Sequence, residues 1–149
     1  MRIFVTVGTG KFDLLIKEVD TIALKFNPTI IAQIGKGKFI PKNITYFRFK
    51  ESLMDEYQKA DLIIAHAGAG TTYEVLGLGK KIIIVPNLNR TDSHQLDIVK
   101  KLSEEGYLIG CKKINDLSKI LKDIKNTKFK KYFLPKNNII SIIKKYIDK

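Results

Sequence analysis

Two stretches of this sequence, Leu62–Ala65 and Ile82–Val85, are apolar at every position. A strand with one wet face alternates apolar and polar residues. A strand with no polar position has to be covered on both faces, as in a parallel sheet sandwiched between helices. The rest of the chain follows the same plan. Ile3–Val7 is a β-branched-rich run ending at Gly8-Thr9-Gly10. From Phe12 to Phe26, Leu15, Ile16, Val19, Ile22, Ala23 and Phe26 fall at helical spacing, and Pro28 stops the run. Strands are expected at Thr29–Ile34, closed by Gly35-Lys36-Gly37, and at Ile44–Phe49, with a short helix at Leu53–Ala60. After the strand Asp61–Ala65 come a helix at Thr71–Gly79, the strand Ile82–Val85 stopped by Pro86, and a helix at Thr91–Glu105. A short strand at Tyr107–Gly110, a helix at Asn115–Ile124, a basic connector at Lys128–Lys136 and a last helix at Asn137–Ile147 complete the pattern. Strands alternating with helices predict a doubly wound α/β domain.

The 149 residues predict one domain, drawn here as 1–127, with a basic helical extension at 128–149 packed on that domain or on a partner. The net charge is +12, and Lys112–Lys149 holds twelve lysines against three aspartates, or +9 of it. A basic tail has two readings: a solvated surface, or a contact with an anionic partner. On the last helix Ile139, Ile142, Ile143 and Tyr146 share a face beside Lys144, Lys145 and Lys149, so Lys136–Lys149 either docks a partner or packs at home. The single cysteine, Cys111, follows an apolar run and reads as a buried inert thiol. No run approaches the ~20 apolar residues of a membrane span, and the start lacks a signal-peptide core. The expectation is a cytoplasmic protein.

The chemistry concentrates where the strand Leu62–Ala65 runs into His66-Ala67-Gly68-Ala69-Gly70-Thr71-Thr72. Glycines let a backbone approach a ligand closely, and the N–H groups and dipole at a helix start attract anions. Strand, glycine loop and helix therefore form a diphosphate cradle. The loop is not a Walker motif, since neither Gly8–Phe12 nor Gly35–Phe39 has the required Gly-x-x-x-x-Gly-Lys. Nor is it a full dinucleotide fingerprint, because Tyr73 stands where the third glycine belongs. No Asp-x-Asp pair occurs, and His66, His94 and Cys111 make a poor metal set, so no metal or other cofactor is expected.

Residues 66–87 (HAGAGTTYEVLGLGKKIIIVPN), then Asp92-Ser93-His94-Gln95-Leu96 and Glu104-Glu105-Gly106-Tyr107-Leu108, resemble the donor half of MurG-like glycosyltransferases. The opening Phe4-Val5-Thr6-Val7-Gly8-Thr9, with Phe12-Asp13 and Ile16, resembles the same group, and the likeness runs in register over roughly residues 1–110. It is most like the short stand-alone members: the cytosolic subunit of the two-part N-acetylglucosaminyltransferase of dolichol-linked oligosaccharide assembly, and bacterial exopolysaccharide relatives. The resemblance implies a Rossmann-like parallel sheet with helices on both faces, equivalent to the C-terminal half of a GT-B glycosyltransferase. It implies a UDP-sugar donor, a lipid-linked sugar acceptor and a membrane-anchored partner that presents the acceptor and supplies the general base. The chain would then lie peripheral to the membrane through that partner. In this likeness Gly68, Ala69, Gly70 and Thr71 face the diphosphate with Thr9 and His66 beside them, Glu74 holds the ribose, and Asn87, His94 and Gln95 lie toward the donor sugar. His66 is also a candidate catalytic group.

Several of these residues have a structural reading as well. Thr71-x-x-Glu74 is a capping-box pattern, in which Glu74 bonds back to the helix start. His66 reads equally as a hydrogen-bonded strand-end residue, Asn87 as a loop former, and Gln95 and His94 as helix-surface residues. Asp92 reads as the N-cap of the next helix, and Gly77 and Gly79 as packing and helix-termination residues. A non-catalytic accessory subunit that enhances or stabilises a partner glycosyltransferase is the alternative function. A related epimerase or hydrolase would need both halves of the fold, and a nucleic-acid-binding protein would leave the glycine loop unexplained, so no nucleic acid is expected.

Overall fold

The computed structural model of the chain describes residues 1–134. The last helix, its apolar face and the docking role of Lys136–Lys149 lie outside the described residues. Six strands form one sheet: β1 (Arg2–Thr6), β2 (Thr29–Gln33), β3 (Thr45–Phe47), β4 (Leu62–Ala65), β5 (Lys81–Ile84) and β6 (Ile109–Gly110). Their order is β3-β2-β1-β4-β5-β6 and every neighbouring pair is parallel. This is the doubly wound order, with its reversal between β1 and β4.

The pleat explains why the strands are apolar throughout. On one face Ile3, Val5, Ala32, Leu62, Ile64 and Ile83 pack under α1 (Asp13–Phe26) and under Leu117 and Leu121 of α5 (Leu117–Asp123) and Ile124 just after it. On the other, Phe4, Ile63, Ala65, Ile82 and Ile84 meet α2 (Met54–Lys59), α3 (Ala69–Gly77) and α4 (Ser93–Glu104). Alternate residues thus feed two separate cores, and both faces are dry. Tyr57 of α2, 1% exposed, seats its ring edge-on against Phe4 at 5.7 Å.

Helix ends follow their local chemistry. Asn27 ends α1 in the left-handed conformation, donating its N–H to the Ala23 carbonyl, with Pro28 after it. Asp92 caps α4 as expected, its carboxylate accepting the Gln95 N–H at 2.7 Å. Gly79 adopts φ +69° just past α3, and Gly77 abuts Leu134, whose Cδ1 would stand 2.6 Å from an added Cβ. Cys111 is buried, and burial with the charges of Asp116 and Glu18 pushes its thiol up to about 11, so it is inert.

Some boundaries differ from the sequence reading. Helix α3 starts at Ala69, two residues before Thr71. Strand β6 keeps only Ile109–Gly110 of the expected four residues, because Tyr107 is drawn back to the end of α4 by its N–H bond to the Leu102 carbonyl. The Asn115–Ile124 helix is divided into a 3-10 turn (Ile114–Asp116), α5 (Leu117–Asp123) and a second 3-10 turn (Ile124–Asn126). Residues 128–134 run back over the body: Phe129 packs on one core, Tyr132 on the other, and the Lys130 N–H binds the Gly106 carbonyl at 2.9 Å.

Glu56 and Asp20 are the buried carboxylates among the described residues, and Glu56 is the one that is ion-paired. Its side chain, 8% exposed, bonds Lys50 Nζ at 2.5 Å and faces Arg2 at 3.6 Å. The Lys50 hydrogen bond, against the opposing effect of burial, holds its carboxyl below the usual range. A depressed carboxylate contributes stability that is full above the unfolded-state pKa and is lost as pH falls through the folded one. Glu56→Gln is expected to cost about 1 kcal/mol at pH 7 and to flatten the fall in stability below about pH 4.5, read from urea unfolding midpoints across pH.

Candidate functional site

β1 and β4 lie side by side at the centre of the sheet, and the helices that follow them, α1 and α3, cover opposite faces. The chain therefore leaves the two strand ends in opposite directions and opens a crevice between them. A cleft of about 220 Å³ occupies this position. Thr9, His66, Gly68, Asn87 and Gln95, all singled out from the sequence, line it. Lys11 and Arg90, which the sequence reading did not single out, line it too. A larger groove of about 560 Å³ lies between α4 and the β6 edge, lined by Leu88, Leu96, Val99 and Gly110, and has no contribution from the β1 or β4 loops.

The β1 loop is held by buried groups. Thr6 donates its hydroxyl to Gln33 Oε1 at 2.7 Å and accepts the Gly8 N–H at 3.1 Å. The Lys36 N–H binds the Gly10 carbonyl at 2.8 Å, tying the β2 loop to the β1 loop. The His66 ring is wedged between the first and fourth loops: a Cβ added at Gly8 would stand 2.9 Å from its Cε1, and one at Gly68 2.6 Å from its Nε2. Gly8, at φ +67°, needs glycine on both counts. Burial holds the imidazole below its usual range, with the Thr6 backbone opposing that effect, so the ring is neutral at pH 7. Its Nδ1 is buried with no well-formed hydrogen bond among the described residues.

The start of α3 differs from expectation in a way that matters. Gly68 is the N-cap residue and offers no side-chain cap, so Thr71 sits inside the helix and the Thr71–Glu74 capping box is not formed. Thr72 spends both its N–H, at 3.0 Å, and its hydroxyl, at 2.8 Å, on the Gly68 carbonyl. The N–H groups of α3 with no helical acceptor are therefore those of Ala69, Gly70 and Thr71. The first turn contains no acidic residue to compete for them. Above Gly70 there is open space, since an added Cβ would meet nothing within 4 Å.

Glu74, Thr71, Ala69, Gly70 and His94 do not line the cleft itself. Ala69 is buried at the helix start. Thr71 turns its side chain to the Tyr57 hydroxyl, which burial and the nearby Glu74 charge push up to about 12. Glu74 stands one turn into α3; although the residue is exposed, loss of water around its carboxyl raises it above the usual range. His94 is exposed on the first turn of α4, next to Gln95. Asn87 is chiefly a loop former: its carbonyl accepts the Arg90 and Thr91 N–H groups, and its Oδ1 the Asn89 N–H.

Because all six strands run the same way, every loop leaving a strand opens toward this end of the sheet. Lys11, Lys36 and Lys38, Arg48, Arg90, and Lys112 and Lys113 follow β1, β2, β3, β5 and β6 respectively. Of these cations Lys11 and Arg90 line the cleft, which reaches the start of α3 at Gly68, an arrangement suited to a multiply charged anion. Among the described residues no group of three His, Cys, Asp or Glu comes together to hold a metal.

The model of the glycosyltransferase family 28 C-terminal domain matches residues 2–149. The human protein named UDP-N-acetylglucosamine transferase subunit ALG13 is 41% identical over 123 residues, covering 73% of this chain and 11% of that protein. The chain thus spans about a tenth of the length of that relative. A solution structure of ALG13 superposes with a TM-score of 0.66 at 22% identity, covering 99% of this chain and 96% of that one. The crystal structure of MurG from Acinetobacter baumannii superposes with a TM-score of 0.69 at 24% identity over 85% of this chain and 41% of that one. These superpositions establish the Rossmann-like fold of a GT-B C-terminal domain.

The two loop glycines are expected to respond oppositely to a methyl group. Gly68→Ala drives a Cβ into the His66 ring and should cost about 1–3 kcal/mol. Gly70→Ala meets open space within a helix and should leave stability unchanged or raise it by less than about 1 kcal/mol. Thermal and urea unfolding of the two variants check both.

Proposed function

The chain belongs to the glycosyltransferase family 28 C-terminal domain family, and on that premise we propose that it is the donor-binding subunit of a split UDP-sugar glycosyltransferase. The observation that carries this reading is the β1/β4 crevice, where a cleft reaches the start of α3 at Gly68 and is lined by Lys11 and Arg90 with no carboxylate among the described residues. The subunit wording and UDP-N-acetylglucosamine in the name of the human relative support a second subunit and make that sugar the first to test. The diphosphate rests on the N–H groups of Ala69, Gly70 and Thr71, with Thr9 and His66 alongside. Glu74, one turn further along α3, takes the ribose hydroxyls as an acceptor, and Gln95, with His94 next to it, faces the sugar. The leaving diphosphate gains negative charge as the anomeric bond breaks, and preorganised N–H groups and cations stabilise that charge without a metal.

A base must take the proton of the acceptor hydroxyl. His66 is neutral but enclosed by Gly8 and Gly68, so it serves the diphosphate end, and the base comes from the partner. A membrane-anchored partner holding a lipid-linked saccharide completes the enzyme. No helix of the described residues is long and apolar enough to cross a membrane.

Calorimetric titration with UDP, UDP-N-acetylglucosamine, other UDP-sugars, ADP and NAD tests the reading. Uridine ligands should bind selectively and release no heat difference in EDTA. Glu74→Ala should weaken them roughly tenfold or more, the worth of a charged hydrogen bond. Gly70→Ala should weaken them at unchanged stability. Binding of none of these ligands, by the chain or by its complex with the partner, would favour an accessory subunit.

A further inference from the structure

The donor reading explains the glycine loop and α3 and gives the cations of the cleft a shared part, but it does not say which phosphate Arg90 holds. The turn between β5 and α4 is built to present this residue. The Asn87 carbonyl accepts the N–H groups of Arg90 at 2.9 Å and Thr91 at 2.7 Å, and Asn87 Nδ2 reaches the Lys11 carbonyl at 3.5 Å. The turn is thereby joined to the β1 loop. From it the Arg90 side chain crosses the lip of the cleft, so that Nη1 stands 3.4 Å from where a Cβ on Gly10 would be. Arg90 thus spans the opening from the β5 loop to the β1 loop.

This placement does nothing evident for the fold. Arg90 is exposed, and the ion pairs among the described residues all converge on Glu56, far along the chain. Among the described residues no carboxylate lines the cleft to hold its charge. A guanidinium lying over a glycine backbone, at the mouth of a cleft whose other wall is a helix start, lacks only an anion. One phosphate is served by the Ala69–Thr71 N–H groups; a second brings further negative charge that these neutral donors do not offset. We propose that Arg90 is the clamp for the second phosphate of the donor, and hence the residue by which the site tells a diphosphate from a monophosphate. The inference rests on the donor-site reading. A planar fork of donors suits two phosphate oxygens at once, which lysine cannot match as a point charge.

The test is titration of the full chain with UDP, UMP and inorganic pyrophosphate, in wild type, Arg90→Gln and Arg90→Lys. Arg90→Gln should lower affinity for UDP and pyrophosphate roughly 10- to 100-fold, the worth of a charge-assisted contact, and leave UMP within about twofold. Arg90→Lys should fall between. An equal loss for UDP and UMP, or no loss for either, overturns the clamp, and unfolding midpoints identify a variant that has merely lost its fold. Wild type that binds pyrophosphate through Arg90 but no uridine ligand refutes the donor reading while supporting the clamp. Wild type that binds UDP no better than UMP supports the uridine site and overturns the clamp.

Discussion

Strand β1 is hydrogen-bonded on both edges, to β2 and to β4, and its residues from Ile3 to Thr6 are buried on both faces. Everything at the site depends on that central pairing. It sets the ends of β1 and β4 side by side while α1 and α3 depart to opposite faces, so the crevice is a consequence of strand order and is not carved by any particular side chain. The buried Thr6–Gln33 bond then fixes where the β1 loop begins, and the loop in turn leaves His66 one place to lie.

The fold was legible because two dry faces leave a plain trace: Leu62–Ala65 and Ile82–Val85 could not be half-wet strands, and the helices between them repeat every three to four residues. The Asp92 cap was legible for the same reason, being local. The start of α3 was not. Thr71 offered a capping pattern, but a Tyr57 hydroxyl from a distant helix engages its side chain, and the helix begins two residues earlier. Sequence spacing carries no information about such a contact.

The cations of the cleft were illegible on similar grounds. Lys11 and Arg90 are separated by 79 residues and belong to no motif, and only the adjacency of the β1 and β5 loops brings them to one opening. Residues carried over by resemblance divide in the same way: Thr9, His66, Gly68, Asn87 and Gln95 share the cleft, whereas Glu74 and His94 stand outside its lining on their helices. A cleft of this size holds only part of an extended nucleotide sugar, so a ligand seated on α3 has to continue beyond it.

The parallel sheet also gathers charge in space. Loops after the strands carry Lys11, Lys36, Lys38, Arg48, Arg90, Lys112 and Lys113, and two of the carboxylates beside them are engaged by backbone: Asp13 accepts the Lys38 N–H and Asp92 the Gln95 N–H. The loop end of the sheet therefore presents a cluster of cations, and a polyanion still in solution feels a pull toward it before it touches anything. That field reaches about 8–10 Å at physiological ionic strength. Capture of an anion at the cleft is accordingly salt-sensitive in its rate, whichever residues hold the ligand once it has arrived.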